Sequence, residues 1–144
     1  MDADPAPRSV VAYGLLGLIP FLAPPAAALI WPGWAGLAAL IQALYAALIL
    51  SFLGGVRWGL AVSRPVVSPL TISLSMLPTI AALAILALLS HAQRLELWAL
   101  ALALALHWAW DARAHGAPPW FARLRTILTL GAVASLLAGA WTVG

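Results

Sequence analysis

The chain has 144 residues, of which 65% are hydrophobic and only 8% charged, whereas about a quarter of the residues of a soluble domain carry charge. Its formal charge of +3 rests on seven arginines and no lysine, spread between apolar stretches, which is a pattern of membrane topology and not of nucleic-acid binding. The absence of cysteine removes disulfides, thiolate chemistry and cysteine-held metal or iron–sulfur sites.

A spanning helix needs about 20 mostly apolar residues, so the expected fold class is an all-α membrane helix bundle with about five spans in a single domain over 1–144. After a polar, proline-bearing start, MDADPAPRSV, the first span runs over 10–30. Pro20, Pro24 and Pro25 punctuate it, and each removes a backbone donor, so neighbouring helices must satisfy the freed carbonyls. The alternative reading of this stretch, a secretory signal, sits poorly with its acidic start. A turn at WPGW leads to the second span, 35–56, whose clearly polar members are Gln42 and Ser51. Gln42 reads as an interhelical hydrogen bonder. The span closes in GGVRWG, where Gly54-Gly55 marks a close approach or a bend.

Arg64, Pro65 and Pro69 form a short loop before the third span, 70–90, in which Pro78 predicts a kink. The fourth, 95–111, is an Ala/Leu run that is short for a bilayer; a strand is excluded there because it leaves its backbone unsatisfied in lipid. The segment DARAHGAPP closes it, and the fifth span covers 120–141. Gly131, Ser135 and Gly139 recur every four residues on one face of this last helix, a small-residue stripe that permits close helix packing, more simply inside the bundle than between subunits.

Six arginines, at positions 8, 57, 64, 113, 123 and 125, fall on the N-terminal side of this arrangement and Arg94 alone on the other. The positive-inside rule then places the N-terminus in the cytoplasm or matrix and the C-terminus outside. Trp58, Trp108, Trp110 and Trp120 mark one interface, Trp31, Trp34, Trp98 and Trp141 the other, as aromatic belts do.

Ionisable groups at membrane depth are costly and are the natural candidates for function. Arg57 ends the second span where the fourth arrives with His107 and Asp111, and His107 and Asp111, four apart, share a helix face. With Trp58, and with Ser51, Tyr13 and Trp110 around them, they form either a pocket for a headgroup, a quinone-like ligand or a proton, or an ion pair that pins two helices together. His107, Asp111 and His115 form a row that Gly116 and Pro118 interrupt, too incomplete for a metal site. Asp2, Asp4 and Glu96 stand apart, so paired carboxylates for acid–base catalysis are missing, and no phosphate-cradling loop or nucleophile elbow is present. No enzymatic activity is expected.

The strings AYGLLGLIPFLAP at 12–24 and ILSFLGGVRWGLA at 49–61 resemble a bacterial and mitochondrial family of unknown function that includes transmembrane protein 69. The resemblance covers most of the chain, and GGVRWG at a helix end is its more specific part. It implies about five spans and an inner-membrane location, bacterial or mitochondrial, and transfers no activity, cofactor or catalytic residue; Arg57 and Trp58 are the motif positions of interest. With almost no aqueous domain, the function expected first is an accessory or assembly subunit contacting lipid and other membrane-protein subunits. A small transporter or a lipid- or quinone-binding protein using the Arg57 pocket is the alternative.

Overall fold

A computed structural model of the chain describes residues 6–113 and 119–144. These form helices α1 (Arg8–Leu16), α2 (Ile19–Ile30), α3 (Ala35–Val62), α4 (Pro69–Leu89), α5 (Gln93–Ala112) and α6 (Pro119–Thr142), with a single 3₁₀ turn at Pro32–Trp34 and, among the described residues, no strand. Four stretches are long and apolar enough to cross a membrane: Arg8–Ile30, Pro32–Val62, Pro69–Leu89 and Pro119–Thr142. Helix α5 is not among them, because Gln93, Arg94 and Glu96 at its start and Asp111 at its end dilute its apolar centre. Its middle is nonetheless packed inside the bundle: Leu97, Leu100, Ala101 and Leu104 are buried, and the helix contacts α3, α4 and α6.

Contacts at both ends fix the directions of the helices. Gln93 donates to the Gly36 carbonyl at 2.8 Å and Arg57 meets Asp111, so α3 and α5 run parallel. Arg94 donates to the Ala140 carbonyl and Arg125 to Asp111, so α6 returns antiparallel to α5. Ser51 pairs with Thr79 at 2.9 Å and Gly54, farther along α3, packs against Ser75, earlier in α4, which sets α4 antiparallel to α3. Alanines 43, 46 and 47 of α3 are buried among Leu50, Leu97, Leu100 and Leu136, their small side chains letting the backbones approach.

The first span is broken, but not at a proline. Helix α1 ends at Leu16, Gly17 and Leu18 form a turn, and Pro20 then sits in the first turn of α2, where a missing N–H costs nothing. Pro24 and Pro25 lie inside α2 and are buried. Pro25 cannot donate to Phe21 four residues back, and the freed Phe21 carbonyl accepts from Gln42 Nε2 at 3.0 Å and from Ser135 Oγ. Gln42 Nε2 also reaches the Ser135 carbonyl at 2.9 Å. Two carbonyls converge on this amide, so it must present its nitrogen, and Gln42, fully buried, joins α2, α3 and α6 as the interhelical bonder its sequence position suggested. The Gly17 carbonyl, left over at the break, accepts from Tyr45 Oη at 2.9 Å.

Helix α3 does not stop near Val56 as its sequence suggested but continues through Gly54, Gly55 and Arg57 to Val62. The two glycines differ. A Cβ at Gly54 would lie 2.6 Å from the Ser75 carbonyl oxygen of α4, whereas one at Gly55 meets nothing; Gly54 is therefore a contact point and Gly55 ordinary helix. Helix α4 begins at Pro69 behind the Ser68 cap and runs through Pro78. The stripe on α6 faces inward: a Cβ at Gly139 would collide with Gln42 Oε1, and one at Gly131 would press on Leu18 at 3.1 Å.

Gly54→Ala is expected to lower the melting temperature in detergent, by an overpacking cost of about 1–3 kcal/mol, while Gly55→Ala raises it slightly through the ~0.5–1 kcal/mol helix preference of alanine. Gln42→Leu, which keeps the volume but leaves the Phe21 carbonyl with one donor, is expected to cost about 1–2 kcal/mol in the same assay. Equal effects of the two glycine substitutions would contradict the packing described.

Candidate functional site

At the end of the bundle where α3 and α5 finish and α6 begins, four charged or titratable side chains converge. Asp111 is the centre. Arg125 donates to its Oδ2 from Nε at 3.1 Å and from a terminal nitrogen at 2.9 Å, a forked grip on one oxygen. Arg57 Nε stands 3.7 Å from Oδ1, an ion pair without a hydrogen bond. His107 Nδ1 is 3.4 Å from Oδ2, one turn back along α5, and both its ring nitrogens are buried without a hydrogen bond. The Arg57 guanidinium lies over the Trp110 ring at 4.2 Å, a cation–π contact, and Trp110 in turn meets His107 edge-on.

The structure thus brings together Arg57, His107 and Asp111 from the sequence candidates and leaves out Trp58, which points outward and is half-exposed. Trp110, foreseen only as surroundings, is the ring that holds Arg57. Ser51 faces α4 through Thr79, and Tyr13 is exposed at the edge of a cleft described below. Arg125 was missed. Its signal was present, since it lies six residues inside α6 and so at greater depth than the terminal arginines, but it was counted only as one of six interfacial charges. His115 and the acids Asp2 and Asp4 lie outside the described residues. Among the described residues no group of three His, Cys, Asp or Glu side chains is placed to hold a metal.

The charged cluster is one end of a cleft of about 1250 Å³ between α1–α2, α3 and α6, larger than the roughly 300–1,000 Å³ of ordinary small-molecule sites. Arg57, Arg64, Asp111 and Arg125 line one end, with Ser63 and Thr71 beside them. Leu18, Phe21, Ile49, Leu53, Leu128 and Ala132 line the body. On α3 the lining extends from Tyr45 to Ala61, about 24 Å at 1.5 Å per residue. Helix α1 forms the outer wall with Val10, Tyr13 and Gly14 and buries no residue of its own. A long apolar groove with a basic end is complementary to an amphiphile.

The model of a family described as "Protein of unknown function (DUF3429)" matches residues 6–141. "Transmembrane protein 69" of Xenopus tropicalis is 40% identical over 136 residues, covering 92% of this chain and 53% of that protein. The Mus musculus protein of the same name is 32% identical over 138 residues, covering 92% and 55%. The chain therefore spans about half the length of the curated relatives it matches. No solved structure matches it.

Asp111→Asn removes the carboxylate between two arginines that are each nearly nine-tenths buried and is expected to destabilise the protein by about 3 kcal/mol, the lower end of the range for broken buried pairs. In double-mutant cycles read by melting temperature, Asp111 should couple to Arg125 by about 1–2 kcal/mol and to Arg57 by well under 1 kcal/mol, following hydrogen bonding over mere proximity. The reverse order would refute the assignment of Asp111 to Arg125.

Proposed function

The chain belongs to this family of transmembrane proteins of unknown function, and from that premise we propose that it binds a membrane amphiphile, of the lipid or quinone class, in the cleft between α1–α2, α3 and α6. The observation that carries the reading is the cleft itself: apolar along its length, basic at one end and walled on its outer side by a helix that buries nothing. Between Arg57 and Tyr45 it covers about 18 Å of helix axis, close to the ~15 Å depth of one leaflet's hydrocarbon. A chain lying there would place its polar end beside Arg57 and its tail beside Phe21 and Tyr45.

The same reading supplies a topology. The starts of α1 and α6 and the ends of α3 and α5 share one end of the bundle and carry Arg8, Arg57, Arg64, Arg113, Arg123 and Arg125, so we take that end as cytoplasmic or matrix-facing in a multi-pass inner-membrane protein. The amphiphile would then come from the inner leaflet. The subunit role expected from sequence stands second. The stripe of Gly131, Ser135 and Gly139 is occupied within the bundle by Leu18, Phe21 and Gln42 and so does not serve as a surface for that role.

The test is lipid analysis of the protein purified from native membranes in mild detergent. Leu128→Trp fills the cleft; Leu130→Trp places the same ring on an outward, exposed position. Loss of roughly tenfold (~1.4 kcal/mol) in co-purified amphiphile from the first and none from the second is the expected result. Equal retention by both variants would sink the proposal.

A further inference from the structure

We infer that the basic end of the cleft selects a phosphate-bearing anionic headgroup, with Arg57 as the residue that reads it; this rests on the amphiphile reading above and adds the chemical class of the ligand. Charge bookkeeping within the cluster gives the reason. Asp111 is claimed by Arg125, whose Nε and terminal nitrogen both donate to one of its oxygens. Arg57 remains as a surplus cation. Its side chain is only 13% exposed, its Nε is buried without a hydrogen-bond partner, and among the described residues its guanidinium makes no hydrogen bond at all. Stacking on Trp110 at 4.2 Å holds the plane in position while leaving its edge donors unused.

A charge withdrawn from water this far and left without hydrogen bonds is unfavourable, and a planar fork with free edge donors is matched by a phosphate, which accepts two parallel hydrogen bonds. A neutral quinone would leave the charge uncompensated. A zwitterionic lipid brings a phosphate too, but sets its ammonium against a cleft end also lined by Arg64 and Arg125, where the carboxylate among the lining residues, Asp111, is already held by Arg125. An anionic phospholipid of the phosphatidic acid or phosphatidylglycerol kind satisfies the arginine and adds no positive charge, while its acyl chain occupies the apolar body.

The experiment is native mass spectrometry of the full chain, delipidated in mild detergent and offered an equimolar mixture of phosphatidylglycerol and phosphatidylcholine with identical chains. The parent protein should carry roughly ten times more phosphatidylglycerol. Arg57→Gln should bring that ratio close to one while total bound lipid stays similar. Arg57→Lys, which keeps the charge but not the fork, should retain an intermediate preference and serves as the informative variant if Arg57→Gln does not fold. Arg113→Gln, an exposed arginine at the same end that bonds its own helix at the Ala109 carbonyl, should leave the ratio unchanged. Equal binding of both lipids by the parent, or an undiminished preference in both Arg57 variants, overturns the headgroup assignment and leaves the amphiphile reading standing. A fall in Arg113→Gln as large as that in Arg57→Gln would mean a diffuse surface charge and overturns it as well. Millimolar inorganic phosphate that displaces phosphatidylglycerol would point to a free phosphate site and defeat the lipid assignment. Failure to bind either lipid would remove the amphiphile reading itself.

Discussion

The arrangement turns on one missing hydrogen. Pro25 has no N–H to give to the Phe21 carbonyl, and a carbonyl left unsatisfied in the interior of a membrane bundle costs several kcal/mol by the reasoning that confines spanning structures to closed hydrogen-bond ladders. Gln42 from α3 and Ser135 from α6 supply the donors, so a local defect in α2 becomes the point where three helices are tied. The tie has strict steric terms. Gln42 Oε1, the amide atom not engaged with a donor, lies where a Cβ on Gly139 would stand, so a Cα–H is the only neighbour that fits. The small-residue stripe on α6 is thus explained by α2 and α3 together: Gly139 accommodates Gln42, Ser135 bonds Phe21, and Gly131 accepts Leu18.

That node also determines where the cleft can be. It clamps α2 to α3 and α6 at the depth of Phe21, and Tyr45 repeats the clamp one turn away at Gly17. Beyond Gly17 the chain turns, and α1 continues toward the basic end without burying a side chain. The space between α1, α3 and α6 is therefore closed at its deep end by hydrogen bonds and bounded at its shallow end by charges. A break placed at a proline farther along would have moved the clamp, and with it the floor of the cleft.

Much of this was legible because membrane helices announce themselves by composition. The all-helical fold follows from apolar runs of spanning length, and the meeting of Arg57 with His107 and Asp111 follows from counting helices and noting which ends share a side. Gln42 was legible for a similar reason, as the lone amide in a long apolar helix needs a partner on another helix. The break at Gly17–Leu18 was not, since a proline-rich stretch draws attention to residues that α2 absorbs, Pro20 by position and Pro25 by tertiary hydrogen bonds. Nor was the length of α3: the span reads as closing in GGVRWG, yet the helix continues to Val62, and the close approach that Gly54-Gly55 suggests is made at Gly54, against the Ser75 carbonyl, without ending the helix. Arg125 was hidden by the very regularity that gave the topology, because six like charges at one end look equivalent until burial separates Arg57 and Arg125 from the rest.

Hydrogen bonding separates the two arginines of the cluster from each other, since Arg125 donates twice to Asp111 and Arg57 does not, and this difference is what gives the site a direction. Had Asp111 been shared symmetrically, the cluster would be a neutral structural pin between α3, α5 and α6, and the cleft would end in a closed ion pair. Instead the carboxylate is committed to Arg125, which joins α5 to α6, while Arg57 is held by the face of Trp110. An aromatic face stabilises a cation without consuming its donors. The structural demand for pinning helices is met by one arginine, and the second keeps its hydrogen-bonding edge at the end of an apolar groove whose length matches a leaflet. Salt-bridge geometry, so often a sign of mere stability, here becomes informative through its asymmetry.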